Sequence, residues 1–500
     1  MNKLTSSLLV STLAIGLAAC HDDSDNNRPT PPPVIPEPEP VSCSGTQINP
    51  ERLYLQQLGT DSVIIKWRGN LAEDDEEAGS LCFGTDMNAL LEDSESGATV
   101  TATDHSEVLL TDLEPATTYY YSVGGAGTAD AEHHFTTAPE VGTLPADGNT
   151  RIWLLGDSGT GGQDKLGSAQ VRDGYLSYVE ASGGETADLA LMLGDNAYNQ
   201  GTDFEHQKAI FDIYNGILSS TPLWPVIGNH DMGFVGAGQQ TDTDDYIILG
   251  SDENGGEDPE PDSPMPYLNI FTLPTNGEVG GLASGTEQYY SFDYANIHIV
   301  ALDSQVAARD ESNRAAMQQW LEDDLMASSA DWTIVIFHHP PYAQLDHDSD
   351  DDLSGIDQPM IDMREQFTPV FEAYNVDLVY NGHSHTYERT YYLNGHTGLS
   401  DTFDPDIHAE LNDQGEPASG QGDEAYTQIA RNGTDDKVVY TVAGSAGKAE
   451  ARFPGAKPHP AVYFGQVILG SVVLDVGESS LEANFIDVEG NILESFTMTR

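Results

Sequence analysis

The chain has few positive charges. Its 500 residues include 19 lysines and arginines against 82 aspartates and glutamates, which gives a formal net charge of −63 at pH 7. A protein that binds nucleic acid needs a basic surface patch, and this balance argues strongly against one. The excess of carboxylates instead predicts a solvated acidic surface of the kind suited to a salty habitat.

Cysteine is also scarce. There are three cysteines, and Cys20 directly follows the apolar N-terminal segment. This leaves Cys43 and Cys82, which would form a disulfide in an exported protein. Two separate buried thiols are the alternative. Neither cysteine lies near the polar motifs described below, so we expect no catalytic thiolate.

Long apolar runs are missing except at residues 1–19. That segment has Lys3 near its start, an apolar middle and the ending Leu17-Ala18-Ala19 before Cys20. It is too short for a membrane span and has the pattern of a secretory signal. The ending resembles a bacterial lipoprotein box, whose cysteine becomes lipidated, although an ordinary signal peptide with an incidental cysteine is the alternative.

Residues 20–43 begin with Cys20 and continue as a tether rich in proline and aspartate. Such a stretch cannot bury a core and prefers extended conformations. We therefore expect an exported protein that is anchored by lipid to the bacterial cell envelope, on the periplasmic or the cell-surface side. The lipid on Cys20 would be its only membrane attachment.

Residues 44–139 carry short β-branched and aromatic runs that are separated by turn residues. Tyr119, Tyr121 and Val123 illustrate the alternation, and Phe135 begins the closing segment. This pattern predicts an all-β sandwich. The segment resembles a fibronectin type III domain, with an unrelated antiparallel sandwich as the alternative.

From residue 148 to residue 500, strand patterns alternate with helical ones. Apolar spacing of three to four predicts helices at 170–180, 204–218, 313–326 and 363–374. Two stretches rich in glycine, aspartate and proline, 232–285 and 391–436, predict long loops. We therefore predict an α/β domain, whose last strands complete a second sheet.

Five apolar runs in this domain lead to side chains that bind metals. The runs precede Asp157, Asp195, Asn229, His338, and the pair His383 and His385. The carboxyl ends of parallel strands meet at one edge of an open sheet, so distant ligands can converge there. Carboxylate, amide and imidazole donors without a thiolate suit iron, manganese or zinc. A binuclear metal centre is the interpretation that these residues favour.

The motifs around these residues match, in order, those of one enzyme family. They are Gly156-Asp157-Ser158-Gly159, Gly194-Asp195-Asn196-Ala197-Tyr198, Gly228-Asn229-His230-Asp231, Val335-Ile336-Phe337-His338 and Gly382-His383-Ser384-His385. Over residues 44–500 the chain resembles the purple acid phosphatase branch of the calcineurin-like metallophosphoesterases. The resemblance implies an αββα sandwich of two mixed sheets flanked by helices.

The resemblance also implies a ligand set. It places Asp157, Tyr198 and His385 on Fe(III), places Asn229, His338 and His383 on a divalent ion (zinc, manganese or iron), and makes Asp195 the bridge. The wider superfamily has a histidine ligand where this chain has Gly159, and Tyr198 supplies the missing donor. His339 adjoins His338 and is an alternative ligand. The family pattern favours His338, because it lies two residues before Pro340.

Further residues receive roles from their neighbours and from the resemblance. His230 is a candidate to protonate the leaving group, and Asp231 is a candidate to fix the His230 tautomer. His347 is a weaker candidate for substrate binding. The acidic loop around it, 346–352, has carboxylates at alternate positions like a calcium loop, but Asp351 stands where such loops need glycine. A solvated acidic loop is the preferred interpretation, and Tyr387-Glu388-Arg389 are expected to support the site structurally.

The activity implied by the resemblance is hydrolysis of small phosphate monoesters through attack of a metal-bound hydroxide. A phosphodiesterase or nucleotide hydrolase on the same centre is the alternative among enzymes. A surface binding protein with a vestigial metal site is the alternative from another class. No nucleic-acid partner is expected, and the sequence does not indicate an oligomeric state.

Overall fold

A computed structural model describes residues 43, 45–69, 81–92, 99–100, 105–160, 166–184, 186–232, 265–305, 308, 311–351, 357–428 and 437–500. These residues belong to one compact unit, Pro40–Arg500. The predicted signal peptide, Cys20 and most of the predicted tether lie outside the described residues. Within the described ranges, none of the helices combines the length and the apolar character needed to cross a membrane.

The N-terminal domain consists of two antiparallel sheets of four strands each. Its strands are β1 (Arg52–Gln56), β2 (Val63–Arg68), β3 (Leu81–Gly84), β4 (Leu91–Glu92), β5 (Thr99–Val100), β6 (His105–Leu110), β7 (Thr118–Val123) and β8 (His134–Thr136). The orders are β1-β2-β6-β5 and β4-β3-β7-β8. A disulfide joins Cys43 to Cys82, the two cysteines that the sequence leaves as a pair.

The second domain contains two seven-stranded sheets. Its strands are β9 (Thr150–Leu155), β10 (Leu189–Met192), β11 (Leu223–Pro225), β12 (Tyr290–Tyr294), β13 (Ile297–Ala301), β14 (Trp332–Ile336), β15 (Leu378–Asn381), β16 (Tyr387–Leu393), β17 (Tyr426–Thr427), β18 (Val438–Ala443), β19 (Val462–Gln466), β20 (Gly470–Val476), β21 (Ser480–Asp487) and β22 (Ile492–Thr499). The first sheet has the order β11-β10-β9-β20-β21-β22-β17, and the second has the order β12-β13-β14-β15-β18-β16-β19. Both sheets mix parallel and antiparallel pairs.

The helices lie between the strands in sequence. They are α1 (Leu166–Ala181), α2 (Asp203–His206), a π-helix (Gln207–Phe211), α3 (Asp212–Leu218), α4 (Pro266–Ile270), α5 (Glu311–Ala327), α6 (Gln358–Gln366), α7 (Thr368–Ala373) and α8 (Pro405–His408). Short 3₁₀ turns occur at Ser400–Thr402 and Gly422–Glu424. The predicted loop 391–436 therefore contains regular structure, and that part of the prediction is wrong.

The single helix predicted at 363–374 is also wrong. Two helices, α6 and α7, meet at Phe367, whose backbone angles are φ −109° and ψ −34°. Pro369 lies in the first turn of α7, where its missing N–H costs nothing, but inside a continuous helix it would remove a hydrogen bond. Apolar spacing alone does not reveal this break.

Strand alternation divides the core into layers. In β14, Ile334 and Ile336 belong to the main core shared with the first sheet, whereas Val335 belongs to a second core with residues of α5 and α7. Successive side chains of a strand point to opposite faces, so both faces of this sheet are buried. On the other side, Tyr175 of α1 stacks on Trp153 of β9, with ring centroids 4.1 Å apart. The predicted α/β class, two mixed sheets flanked by helices behind an all-β domain, is confirmed.

Candidate metal centre

The candidate ligands follow strands of both sheets. Asp157, Asp195 and Asn229 come after the parallel strands β9, β10 and β11 of the first sheet. His338, His383 and His385 come after the parallel strands β14 and β15 of the second sheet. The expectation that one sheet edge gathers all of them is corrected, because the site lies where the carboxyl ends of two sheets meet.

Tight turns aim these side chains into the site. Asp157, Asp195 and His383 have positive φ angles of 56°, 52° and 66°. Non-glycine residues rarely adopt this left-handed region, and such backbone strain concentrates at functional sites. Gly194, at φ 87°, precedes Asp195, and a β-carbon there would lie 2.5 Å from His338 Nδ1. Glycine is therefore required at this turn.

One group of donor atoms surrounds the Tyr198 hydroxyl. Tyr198 Oη lies 2.6 Å from Asp195 Oδ2 and 3.0 Å from Asp157 Oδ1. The same oxygen lies 3.2 Å from His385 Nε2. Phenol, carboxylate and imidazole donors thus converge on one point, as the resemblance to the family implies.

A second group surrounds the Asn229 side-chain oxygen. Asn229 Oδ1 lies 3.2 Å from His338 Nε2 and 3.1 Å from His383 Nδ1. His338 Nε2 is also 3.3 Å from Asp195 Oδ2. Asp195 Oδ2 therefore contacts both groups of donors, which is the position required of a bridging ligand.

His338 and His339, the two alternative metal ligands, differ in their contacts. His338 Nδ1 lies 2.8 Å from the carbonyl oxygen of Leu193, so a proton on Nδ1 leaves Nε2 to face the donor groups. His339 is fully buried, and its Nδ1 lies 2.9 Å from Ser304 Oγ. Its ring lies 4.4 Å from the His383 ring. His338 therefore contacts both groups of donors, whereas His339 contacts Ser304 and the rings of its neighbours His338 and His383.

The chemistry of these residues fits a pair of cations. Asp157 and Asp195 are buried, and within the described part of the chain neither has a lysine or arginine ion-pair partner. Buried charges are normally paired or bound to metals. Burial and the adjacent Asp195 and Asp157 carboxylates raise the pKa of Tyr198 well above its ordinary value. A phenolate at this position therefore needs a cation.

His383 is suited to bind as a neutral ligand. Burial, with the charge of His347 as the next cause, lowers the pKa of His383 to about 3. Metal-binding imidazoles must be unprotonated on the coordinating nitrogen. The ring therefore presents a lone pair at neutral pH without first having to lose a proton.

Gly159 leaves room for the Tyr198 loop. A β-carbon at residue 159 would lie 2.7 Å from the backbone nitrogen of Ala197. The segment that presents Tyr198 therefore occupies the space that a side chain at residue 159 would need. The absence of a histidine at residue 159 and the presence of Tyr198 are thus two parts of one local arrangement.

His230 lies at the edge of the donor groups. Its ring stacks on Tyr198 with a centroid distance of 3.9 Å, and its Nδ1 lies 2.8 Å from the carbonyl oxygen of Asn199. The backbone N–H of His230 donates to Asp195 Oδ1 at 2.7 Å. A general acid at this position would be adjacent to the metal ligands without being one of them.

The role predicted for Asp231 is wrong. Its carboxylate is fully buried and accepts backbone N–H groups of Asn196, Ala197 and Gly228 at 2.9 to 3.1 Å. It therefore ties two ligand-bearing turns together, while Asn199 faces Nδ1 of His230. The adjacency of the two residues in sequence predicts a contact between Asp231 and His230. In the structure the Asp231 side chain points into the interior instead.

His347 lies over the second group of donors. Its ring centroid is 4.0 Å from that of His383, and its side chain is 30% exposed. Its Nδ1 lies 2.6 Å from Asp357 Oδ1. The structure thus brings this weaker candidate to the site, together with a carboxylate that the sequence did not single out.

Two carboxylates of the acidic loop around His347 form ion pairs with arginines. Asp348 pairs with Arg452, and Asp350 pairs with Arg364. Their side chains are only 20% and 18% exposed. Two of the loop's carboxylates are therefore paired with arginines and partly buried, which differs from the fully solvated loop that its composition predicts.

Tyr387, Glu388 and Arg389 support the site from behind. Glu388 accepts the backbone N–H groups of Gln344 and Leu345, each at 3.3 Å, at the start of the loop that carries His347. Burial raises the pKa of Glu388 to about 7. Arg389 pairs with Glu494 in the other sheet.

Asn199 and Asp357 contact the candidate histidines but were missed by sequence reasoning. Asn199 acts through its backbone carbonyl, so its side chain carries no signal. Asp357 lies 10 residues after His347 and 26 before His383. Only the folded chain brings these residues together.

Two domain families match the chain. Residues 150–387 match the calcineurin-like phosphoesterase family, and residues 50–137 match the purple acid phosphatase N-terminal domain. The two matches correspond to the two domains of the structure.

Several known proteins are similar in sequence. Purple acid phosphatase 22 of Arabidopsis thaliana is 27% identical over 311 residues, covering 61% of this chain and 57% of the relative. Purple acid phosphatase 18 of the same plant is 25% identical over 432 residues, covering 82% and 80%. The phosphoenolpyruvate phosphatase of Allium cepa is 25% identical over 363 residues, covering 69% and 64%. The matched segment thus spans little more than half of the first of these relatives.

Solved structures share the fold. The purple acid phosphatase PPD1 from yellow lupin seeds superposes with a TM-score of 0.64 at 19% identity, covering 90% of this chain and 74% of that one. A structure of PhoD gives a TM-score of 0.57 at 13% identity, with 90% of both chains covered. At these identities the likeness concerns the fold alone. The two domain matches show that the chain has a purple acid phosphatase N-terminal domain followed by a calcineurin-like phosphoesterase domain, and its relatives in sequence are purple acid phosphatases.

Proposed function

We propose that this protein is a binuclear-metal hydrolase that cleaves phosphate monoesters. The observation that carries the proposal is the position of Asp195. Its Oδ2 lies 2.6 Å from Tyr198 Oη and 3.3 Å from His338 Nε2, between two groups of donor atoms. A carboxylate in this position can bind two cations at once.

The donor types suggest which ions bind. A phenolate favours a hard trivalent ion, so Fe(III) is assigned to the side of Asp157, Tyr198 and His385. Asn229, His338 and His383 would hold zinc, manganese or divalent iron. A pair of cations held by these residues would activate a water molecule, orient the phosphate and stabilise the charge that develops on the attacking and leaving oxygens.

His230 is positioned to serve the leaving group. Its Nδ1 lies 2.8 Å from the Asn199 carbonyl oxygen and its ring lies against Tyr198, and we assign Nε2 to act on the substrate. In the protonated ring, Nε2–H would donate to the departing alkoxide, which leaves as the alcohol. The Asn199 contact fixes the ring orientation that this transfer needs.

Export and lipid attachment are part of the proposal. The disulfide between Cys43 and Cys82 supports an oxidising compartment, where such bonds persist. The two four-stranded antiparallel sheets suit a fibronectin-like sandwich, which the short tether would hold away from the membrane. Replacing Cys20 by serine should move the protein from the membrane fraction to the soluble envelope fraction. Retention in the membrane would argue against the lipid anchor.

The test of the activity compares two chromogenic substrates, p-nitrophenyl phosphate and bis(p-nitrophenyl) phosphate, on protein whose metals have been counted. We expect two metal ions per chain and faster turnover of the monoester. Preference for the diester would favour the phosphodiesterase alternative. A folded protein without bound metal or turnover would favour a binding protein with a vestigial site.

A further inference from the structure

Asp357 connects two histidines of the site. Its Oδ1 lies 2.6 Å from His347 Nδ1 and 3.2 Å from His383 Nε2. His383 turns its other ring nitrogen, Nδ1, toward Asn229 Oδ1 at 3.1 Å. One buried carboxylate therefore faces both a candidate metal ligand and a residue on the substrate side.

The Asp357 side chain does not cap the helix that it precedes. Asp357 is the N-cap residue of α6, a position where aspartate usually accepts a backbone N–H of the first turn. Here the side chain makes no capping hydrogen bond. Because the carboxylate forgoes that local contact, its orientation toward the histidines needs another explanation.

Helix α6 is held against the loop that carries His347. Arg364, about two turns further along the chain in α6, is buried and donates to the carbonyl oxygens of Ser349 and Pro341 at 2.6 and 3.2 Å. It also pairs with Asp350 of that loop. The distance between Asp357 and His347 is therefore fixed by contacts on both sides of the pair.

We propose that Asp357 is a positioning residue that sets the orientation of His383 toward the divalent ion and of His347 toward the phosphate. A carboxylate that accepts Nε2–H of His383 keeps Nδ1 unprotonated for the metal. The same carboxylate accepts Nδ1–H of His347, so that Nε2–H of the imidazolium form can donate to a phosphate oxygen. The proposal deepens the proposed function and rests on it for the His347 half only.

The first experiment measures zinc affinity. Metal-free protein is dialysed against a series of buffered zinc concentrations, and bound zinc is counted per chain. Asp357→Asn is expected to weaken binding at the divalent site about 10- to 100-fold, the usual effect of removing the partner of a metal-binding histidine. His347→Gln should bind zinc like the wild type. The matched control is Asp362→Asn, which removes the same charge from the same helix.

The second experiment measures hydrolysis of p-nitrophenyl phosphate at saturating metal. Asp357→Asn and His347→Gln should each raise KM and lower kcat. Saturating metal compensates for the weaker binding at His383, so both variants then act through the contact between Asp357 and His347, and the double variant should be no worse than the poorer single variant. The proposal would be overturned if the losses of kcat/KM in the two single variants multiplied in the double variant. Wild-type zinc affinity in Asp357→Asn would also overturn it.

The two proposals fail in different ways. If the wild type hydrolyses no monoester, the proposed function fails, yet zinc affinity still decides the role of Asp357 toward His383. If Asp357→Asn does not fold, Asp357→Glu keeps the charge but displaces the carboxylate, and it should also bind zinc more weakly. Wild-type zinc affinity in that variant would overturn the positioning role.

Discussion

Arg389 of β16 and Glu494 of β22 form a fully buried ion pair between the two sheets. Arg389 donates to Glu494 Oε1 through Nε at 2.9 Å and through a terminal nitrogen at 2.6 Å, and both side chains are 0% exposed. Tyr387 donates its hydroxyl to the second carboxylate oxygen at 2.7 Å. The pair therefore joins the strand that follows His385 to the C-terminal strand of the other sheet.

Breaking this pair should cost much more than breaking an exposed one. Glu494→Gln leaves the Arg389 charge buried and unpaired, so we expect the free energy of unfolding to fall by about 3–5 kcal/mol. Glu450→Gln is the control, because the pair of Glu450 with Lys448 is about half exposed and such pairs contribute roughly 0–1 kcal/mol. Denaturant unfolding of both variants measures the difference, and equal losses would contradict the assignment.

A second buried pair should make stability depend on pH. His298 lies between Asp293 and Asp324, with ring nitrogens 2.8 and 2.9 Å from their carboxylate oxygens. Burial by itself would lower the pKa of His298, but the two carboxylates raise it to about 9. The protonated ring therefore stabilises the fold fully below the unfolded pKa of about 6.5, and this contribution, about 3 kcal/mol, is lost as the pH rises through 9.

The measurement compares Tm of the wild type with Tm of His298→Gln between pH 6 and pH 10. The wild type should lose its advantage over the variant as the pH rises. A difference in Tm that stays constant over this range would show that His298 is not charged in the folded protein.

The N-terminal domain should stabilise the catalytic domain through Arg52. This fully buried residue donates to both carboxylate oxygens of Asp203, each at 2.8 Å, and to Gln207 Oε1 at 2.7 Å. Asp203 begins the helix that follows the Tyr198 loop. Arg52→Met should lower the free energy of unfolding by about 1–2 kcal/mol, because it removes hydrogen bonds to a charged group, whereas Asp203 is 42% exposed and keeps Arg68 as a partner.

The control for this prediction is Arg172→Met, whose partner Asp173 is 62% exposed. That variant should unfold close to the wild type. Folded Arg52→Met protein should keep its bound metals, because no donor atom changes. Equal losses in the two variants would show that the contact between Arg52 and Asp203 does not stabilise the catalytic domain.

His230 should affect turnover and not metal binding. Its ring lies against Tyr198, but its side chain is not among the donor atoms that surround Tyr198 Oη and Asn229 Oδ1. His230→Ala should lower kcat for p-nitrophenyl phosphate at least about 100-fold, the usual contribution of a general acid, with two metals still bound. His408→Ala, in α8, is the control and should retain activity. Loss of metal from His230→Ala would refute the proposed role.

Much of the fold and the site can be predicted because local pattern and function coincide. Runs such as 334–337 are apolar for their whole length since both faces of the strand are buried, and a ligand follows where the strand ends. The order of the motifs then identifies the family. The break between α6 and α7 depends on a single proline, and the spacing of apolar residues does not predict it.

Contacts between distant segments could not be predicted. His230 Nδ1 contacts a backbone carbonyl, and two carboxylates of the acidic loop pair with Arg364 of the next helix and with Arg452, about a hundred residues further along the chain. Asp231 adjoins His230 in sequence but is directed inward by three backbone N–H groups. The packing of the turns decides which side chains contact each other, and this packing cannot be read from composition.

The central claim is that Tyr198 and Asp195 bind metal together, and the visible spectrum of the iron-loaded protein tests it most directly. The wild type should bind one iron and one divalent ion per chain and show a tyrosinate-to-Fe(III) absorption band. Tyr198→Phe should lose that band while remaining folded, whereas Tyr214→Phe, a buried tyrosine of α3, should keep it. A band that survives in Tyr198→Phe would contradict the account.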